Sequence, residues 1–136
     1  MFSVSARTQY AIRAMAHLAR LEGKSATAAD IASAQGIPLK YLEGILSRLK
    51  LSGLVESERG KNGGYRMQGR AQDVSMLAIV EAMDGSVKPV SCVDSAASCA
   101  QGRACLPRKF WIGLKSAIDA YLNEHSLKDI VEGDQV

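Results

Sequence analysis

No stretch of this sequence is apolar over anything near the roughly 20 residues that a membrane-crossing helix needs. The opening MFSVSARTQYAIRAMAHLA breaks its apolar pattern with polar and basic side chains, unlike the core of a secretion signal. Internal repeats, low-complexity tracts and obvious flexible linkers are missing as well, which excludes a repeat architecture. Cysteine is scarce: the chain has three, all between positions 92 and 105, with no Cys-x-x-Cys pair. A soluble cytoplasmic protein is therefore expected, with reduced thiols and no structural disulfide framework.

What is present fits a folded chain. A length of 136 residues is one domain's worth, and 47% hydrophobic with 23% charged residues argues against disorder. Charge is uneven. Residues 1–70 carry eleven Lys and Arg against five acids, or +6, whereas residues 71–136 carry six against nine, or −3. A basic first half points to a nucleic-acid partner if its cations are suitably arranged.

The periodicity predicts a helix over about 4–22, with Tyr10, Ala14, Leu18 and Leu21 on one face, Ala11 and Met15 beside it, and Gly23 as its stop. TAAD at 27–30 reads as a capping box that opens a short helix ended by Gly36. Pro38 fits the first turn of the next helix, 38–51, whose apolar face is Leu39, Leu42, Ile45, Leu46 and Leu49. Two helices joined by a tight glycine-containing turn form a helix-turn-helix pattern. LVESERGKNGGYRM follows at once and reads as a hairpin, its turn residues 61–64 tolerant of positive φ.

A further helix is predicted over about 74–84, with Leu77, Val80 and Met83 in register. The cysteine-bearing loop leads to a long amphipathic helix from Pro107 to about Glu124, striped by Phe110, Leu114, Ile118, Tyr121 and Leu122. SLKD at 126–129 caps one more short helix. The fold class is thus mainly α with a small β-hairpin. A winged helix-turn-helix region (1–70) is followed by a cysteine loop (about 86–106) and a long helix (about 107–124), all in one compact domain.

In such a fold helix 38–51 enters the major groove. Lys40 and Tyr41 would reach bases or phosphates and Arg48 the backbone. Glu43 is tolerable in that position mainly as an acceptor from a cytosine amino group, and its competing reading is a surface acid paired with a nearby base. Arg59, Lys61 and Arg66 make the wing a thin cationic tip suited to a narrow minor groove. Thr27, Asn62, Gly63, Gly64 and Tyr65 complete the candidate surface, with both glycines serving the turn.

Cys92, Cys99 and Cys105 admit several chemistries. Gaps of six and five residues disfavour structural zinc, which usually has one close cysteine pair. A disulfide switch needs only two of the three. An iron–sulfur cluster suits the wide spacing, because a loop can wrap a bulky polynuclear centre. Arg103, Arg108, Lys109 and the start of the long helix favour thiolate at Cys105 under any of these.

QYAIRAMAHLA, YLEGILSRLKLSGLVESERGKNGGYRM, the three-cysteine loop and the Trp-bearing helix resemble the IscR/NsrR family of bacterial winged-helix regulators across nearly the whole chain. The resemblance implies a homodimer whose long C-terminal helices cross, and an iron–sulfur cluster on Cys92, Cys99 and Cys105. It also implies control of promoters through double-stranded, pseudo-palindromic DNA, read where this chain has Lys40, Glu43 and Arg59. The family's fourth ligand is an acid just before the first-helix Tyr, where this chain has Gln9, or a His three residues after the last Cys, where it has Arg108. The expected cluster therefore has an oxygen ligand, such as Asp94, Ser95 or Ser98, or an open iron site. His17 reads as a packed or surface residue and His125 as a solvated helix end.

The expected function is a DNA-binding regulator, not an enzyme, that senses iron or cluster status, nitric oxide or redox state. The alternative is a thiol or disulfide switch without a cluster. A cysteine-based redox enzyme ranks below both, and a winged helix that binds only protein is opposed by its own basic surface.

Overall fold

The computed structural model describes residues 3–60, 63–90, 93 and 106–133. Its elements are α1 (Ala6–Arg20), α2 (Ala28–Gln35), α3 (Leu39–Leu51), β1 (Val55–Glu58), β2 (Gly64–Met67), α4 (Met76–Asp84), α5 (Arg108–Glu124) and α6 (Leu127–Glu132). Strands β1 and β2 pair antiparallel, Val55 opposite Met67 and Glu56 opposite Arg66. A mostly helical chain with one hairpin is the architecture expected from the sequence.

Four helices start at hydroxyl caps, because a Ser or Thr oxygen can accept an N–H that the helix leaves unpaired. Ser5, Thr27, Ser75 and Ser126 do this for α1, α2, α4 and α6. The box at Ser126 and Asp129 closes in both directions. At Thr27 the hydroxyl accepts from Asp30 N–H at 3.0 Å, and the Asp30 carboxylate accepts no return bond from Thr27 N–H among the described residues. Helix α3 differs: Pro38 lies just outside it with extended backbone and offers no side-chain cap.

One core gathers α1, α3, the hairpin base, α4 and α6. Ala11, Ala14, Met15 and Leu18 of α1 meet Leu42, Ile45, Leu46 and Leu49 of α3, with Ile79, Met83 and Leu127 closing the far side. Each large aliphatic side chain so buried contributes about 1.5–3 kcal/mol. The α1 face is centred nearer Ala11 and Met15 than the sequence pattern implied, leaving Tyr10 and Leu21 only half-buried. Leu39 does not join the α3 face. It opens the helix beyond the edge of the core and is 44% exposed. Helix α4 buries Met76 and Ile79 with Val80 and Met83, while Leu77 sits at the margin.

Two backbone pairings were not legible in the sequence. Ala26 and Tyr65 exchange N–H···O bonds of 2.9 and 2.7 Å, which ties the segment before α2 to the wing. Met76 N–H donates to His125 carbonyl and Leu127 N–H to Val74 carbonyl, which joins the starts of α4 and α6.

The wing glycines serve a different purpose from the one expected. Neither Gly63 nor Gly64 has positive φ; within the described hairpin that falls to Gly60, at +115°. A Cβ on Gly64 would instead fall on the Ala26 carbonyl, and one on Gly63 would lie 2.6 Å from Glu58 oxygen. Close backbone approach, not backbone freedom, demands glycine at both.

Candidate nucleic-acid interface

Helix α3 divides sharply by face. Leu42, Ile45, Leu46 and Leu49 are at most 2% exposed, while Lys40, Tyr41, Glu43, Ser47 and Arg48 are exposed. Its uncapped first turn presents positive dipole and N–H groups beside Lys40, a setting that favours phosphate. Lys40 and Glu43 make no ion pair among the described residues, so the surface-pair reading of Glu43 finds no partner there. Tyr41 stacks edge-on against Tyr10 of α1, centroids 5.6 Å apart at 82°.

Arg48 is placed differently from Lys40 and Tyr41. Its Nε–H donates to Ala82 carbonyl at 3.0 Å, in the last turn of α4, where a cation complements the helix dipole. It therefore braces α3 against α4 as well as lying on the exposed face.

The wing is less cationic than its composition implied. Arg66 binds Glu56 at 2.5 Å and Glu58 at 2.8 Å, both on the opposing strand. Strand alternation held this signal, since Glu56, Glu58 and Arg66 fall on one face of the paired ribbon. Arg59 is exposed and makes no ion pair among the described residues. Lys61 and Asn62 lie outside the described residues. The Ala26 bridge brings Thr27 to the wing root, where its N–H lies 3.0 Å from the position a Gly64 Cβ would take. Half-buried Gly63, Gly64 and Tyr65 thus form one junction with the exposed Thr27 between α2 and the hairpin.

Cys92, Cys99 and Cys105, with Asp94, Ser95, Ser98 and Arg103, lie outside the described residues. Among the described residues no three His, Cys, Asp or Glu side chains gather as a metal site. His17 Nδ1 lies 3.2 Å from Gln35 Nε2, and His125 Nδ1 lies 2.8 Å from Tyr121 carbonyl. His125 is half-buried, not a freely solvated end. Gln9 Nε2 donates to Val4 carbonyl at 3.0 Å. Arg108 Nε is buried with no hydrogen-bond partner among the described residues, an orphaned donor just beyond the cysteine segment.

A polar cluster that sequence reading missed anchors the end of α4. Thr8 Oγ1 donates to Asp84 at 2.6 Å, Ser5 Oγ lies 2.8 Å from both carboxylate oxygens, and Arg7 reaches Asp84 at 3.4 Å and Met83 carbonyl at 2.9 Å. Burial alone would raise the Asp84 pKa, but hydrogen bonds from Thr8, Ser5 and Arg7 outweigh it and hold the carboxyl below its usual value. A lowered folded-state pKa means the stabilisation is complete above the unfolded value, about 3.9, and is lost as pH falls through the folded one. Asp84→Asn should therefore lower the melting temperature at pH 7. Thermal melts from pH 7 to pH 2 should show its gap to wild type closing only below about pH 4.

A helix-turn-helix followed by a wing, with its reading helix turned outward, defines a winged-helix transcriptional regulator. The sequence profile of the Rrf2 family, described as an iron-dependent transcriptional regulator, matches residues 4–133, and the chain belongs to that family. It is a regulator, not an enzyme. It is 37% identical over 134 residues to the HTH-type transcriptional regulator IscR of Vibrio atlanticus, covering 98% of this chain and 77% of that protein. Its fold matches CymR, the global cysteine regulator of B. subtilis, with a TM-score of 0.82 at 26% identity, covering 99% and 100% of the two chains. It also matches T. potens IscR, with a TM-score of 0.76 at 28% identity, covering 96% and 87%.

No helix among the described residues is long and apolar enough to cross a membrane.

Proposed function

We propose that the chain acts as a homodimer on double-stranded operator DNA, with its affinity set by an iron–sulfur cluster on Cys92, Cys99 and Cys105. The observation that carries the DNA reading is the outward face of α3, where Lys40, Tyr41 and Glu43 stand exposed over a fully buried apolar face. Lys40, Tyr41, Thr27 and Arg48 serve as phosphate-side positioning groups, and Glu43 accepts from a cytosine amino group. Arg59 and Lys61 enter the minor groove from the wing, supported by Asn62, Gly63, Gly64 and Tyr65.

Dimerisation falls to α5. No α5 residue is buried by the rest of the chain, and Phe110 and Tyr121 are 66% and 54% exposed. A 17-residue amphipathic helix left so open is an apolar surface that a second copy would cover.

The donor set fits a cluster on three sides. Three thiolates within fourteen residues supply soft ligands, and the orphaned Arg108 Nε–H suits the second shell of an anionic, sulfur-rich group. Neither Gln9 nor Arg108 supplies a customary fourth ligand, so the fourth position falls to an oxygen ligand from the loop or stays open. When bound, the cluster supplies a centre reactive to oxygen or nitric oxide. The cysteine segment leads from α4, which packs on α1 and α3, into α5. Holding or releasing its thiolates therefore bears on the spacing at which a dimer offers two copies of α3. The family's description as iron-dependent and the likeness to IscR support this reading. A thiol–disulfide switch without a cluster is the second reading, drawn from the likeness to CymR, the cysteine regulator.

Selection of duplexes from a randomised library by the full chain tests the DNA reading. Enrichment of a pseudo-palindrome with half-sites about 34 Å apart is expected. A library that stays random would contradict it.

A further inference from the structure

The ring pair between α1 and α3 points to a residue that aims the DNA-reading surface without touching DNA. Tyr10 lies half-buried on α1 and is packed against the core. Tyr41, 44% exposed at the third position of α3, meets it in an edge-to-face pair with centroids 5.6 Å apart and planes at 82°. That geometry places the positive edge of one ring on the negative face of the other, the arrangement aromatic pairs favour. The Arg13 guanidinium carbon stands 5.5 Å from the Tyr10 centroid, within cation–π range. Arg13 also donates to the carbonyl of Gln35, the last residue of α2, just before the turn into α3.

Tyr10 is therefore fixed from two sides, by the core beneath it and by Arg13 beside it. Tyr41 makes no other ring contact and no side-chain hydrogen bond among the described residues, and Lys40 and Glu43 beside it are exposed. An exposed tyrosine on a helix surface samples several rotamers, and ordering it at the moment of binding opposes affinity. We infer that Tyr10 is a positioning residue that pre-orders the Tyr41 side chain for a DNA phosphate at the start of α3. The inference rests on the DNA-binding reading of α3, and it adds a residue that lies outside the contact surface.

A double-mutant cycle on the full chain tests it, using a duplex enriched from the randomised library as the probe. Tyr10→Leu should weaken binding about three- to tenfold, the range an edge-to-face pair spans. Tyr10→Phe, which keeps the ring, should bind like wild type. In a Tyr41→Phe background, which lacks the phosphate-bonding hydroxyl, Tyr10→Leu should cost almost nothing further. The slope of log affinity against log salt should stay the same in every variant, because no phosphate-neutralising charge is removed. Melting curves are recorded for each protein. Should Tyr10→Leu fail to fold, Tyr10→Met, which keeps a long apolar chain against the core, completes the cycle. Equal losses from removing the Tyr10 ring in both backgrounds would overturn the positioning role. A wild-type protein that enriches no duplex would instead overturn the underlying DNA reading.

Discussion

Reversing Arg59 and Lys61 together to Glu should lower operator affinity by about 100-fold or more at physiological salt, because on the proposed reading each is a cation facing DNA and worth about 1–3 kcal/mol before repulsion is added. The salt slope also falls by about 2, since two phosphate-neutralising charges are lost. Stability should barely change. Arg59 is exposed and makes no ion pair among the described residues, and surface substitutions of that kind usually stay within about 0.5 kcal/mol. Arg66→Gln is the informative contrast. Its guanidinium is held by Glu56 and Glu58, so its loss should loosen the hairpin more than it weakens the first encounter with DNA. Titration of a labelled duplex at several salt concentrations, with melting curves alongside, separates the two effects. A double reversal that leaves affinity unchanged would remove the wing from the interface.

The second large effect is expected at the cysteines. Cys92→Ser, Cys99→Ser and Cys105→Ser should each abolish the visible absorption of anaerobically prepared protein and strip its iron and sulfide, because a serine hydroxyl at neutral pH is a poor substitute for an iron-ligating thiolate. Each variant should then bind DNA as the wild-type apo-protein does. The thiol-switch reading gives another pattern: two substitutions would abolish sensitivity to oxidant, the third would not, and the wild type would carry no iron. Metal and acid-labile sulfide assays on the four proteins decide between them.

Much of this molecule was legible from its residues. Caps at Thr27 and Ser126, the stop at Gly36, and the period of Leu42, Ile45, Leu46 and Leu49 reflect short-range rules that the structure follows. Less legible were features that depend on which elements meet. Nothing local signals that Tyr10 would meet Tyr41, that Arg48 would find Ala82 carbonyl, or that Asp84 would gather Ser5, Arg7 and Thr8 from the other end of the chain. The wing shows both situations at once. Its glycines were readable as a turn, yet what requires Gly64 is the Ala26 backbone, a neighbour some forty residues away. Composition makes Arg66 look like a free cation, although hairpin register alone puts Glu56 opposite it. The stripe on α5 was visible in sequence, and the structure buries none of it fully: Leu114, Ile118 and Leu122 are half-covered, while Phe110 and Tyr121 stay exposed.

The central claim is that the state of the cysteine segment sets how tightly α3 and the wing hold DNA. Its most direct test is the affinity of cluster-loaded and cluster-free protein, prepared anaerobically from one stock, for the same enriched duplex across a salt series. A difference of about tenfold or more is expected at every salt concentration, equivalent to about 1.4 kcal/mol, with the two slopes alike because the phosphate contacts are shared. Equal affinities of the two forms at every salt concentration would contradict it.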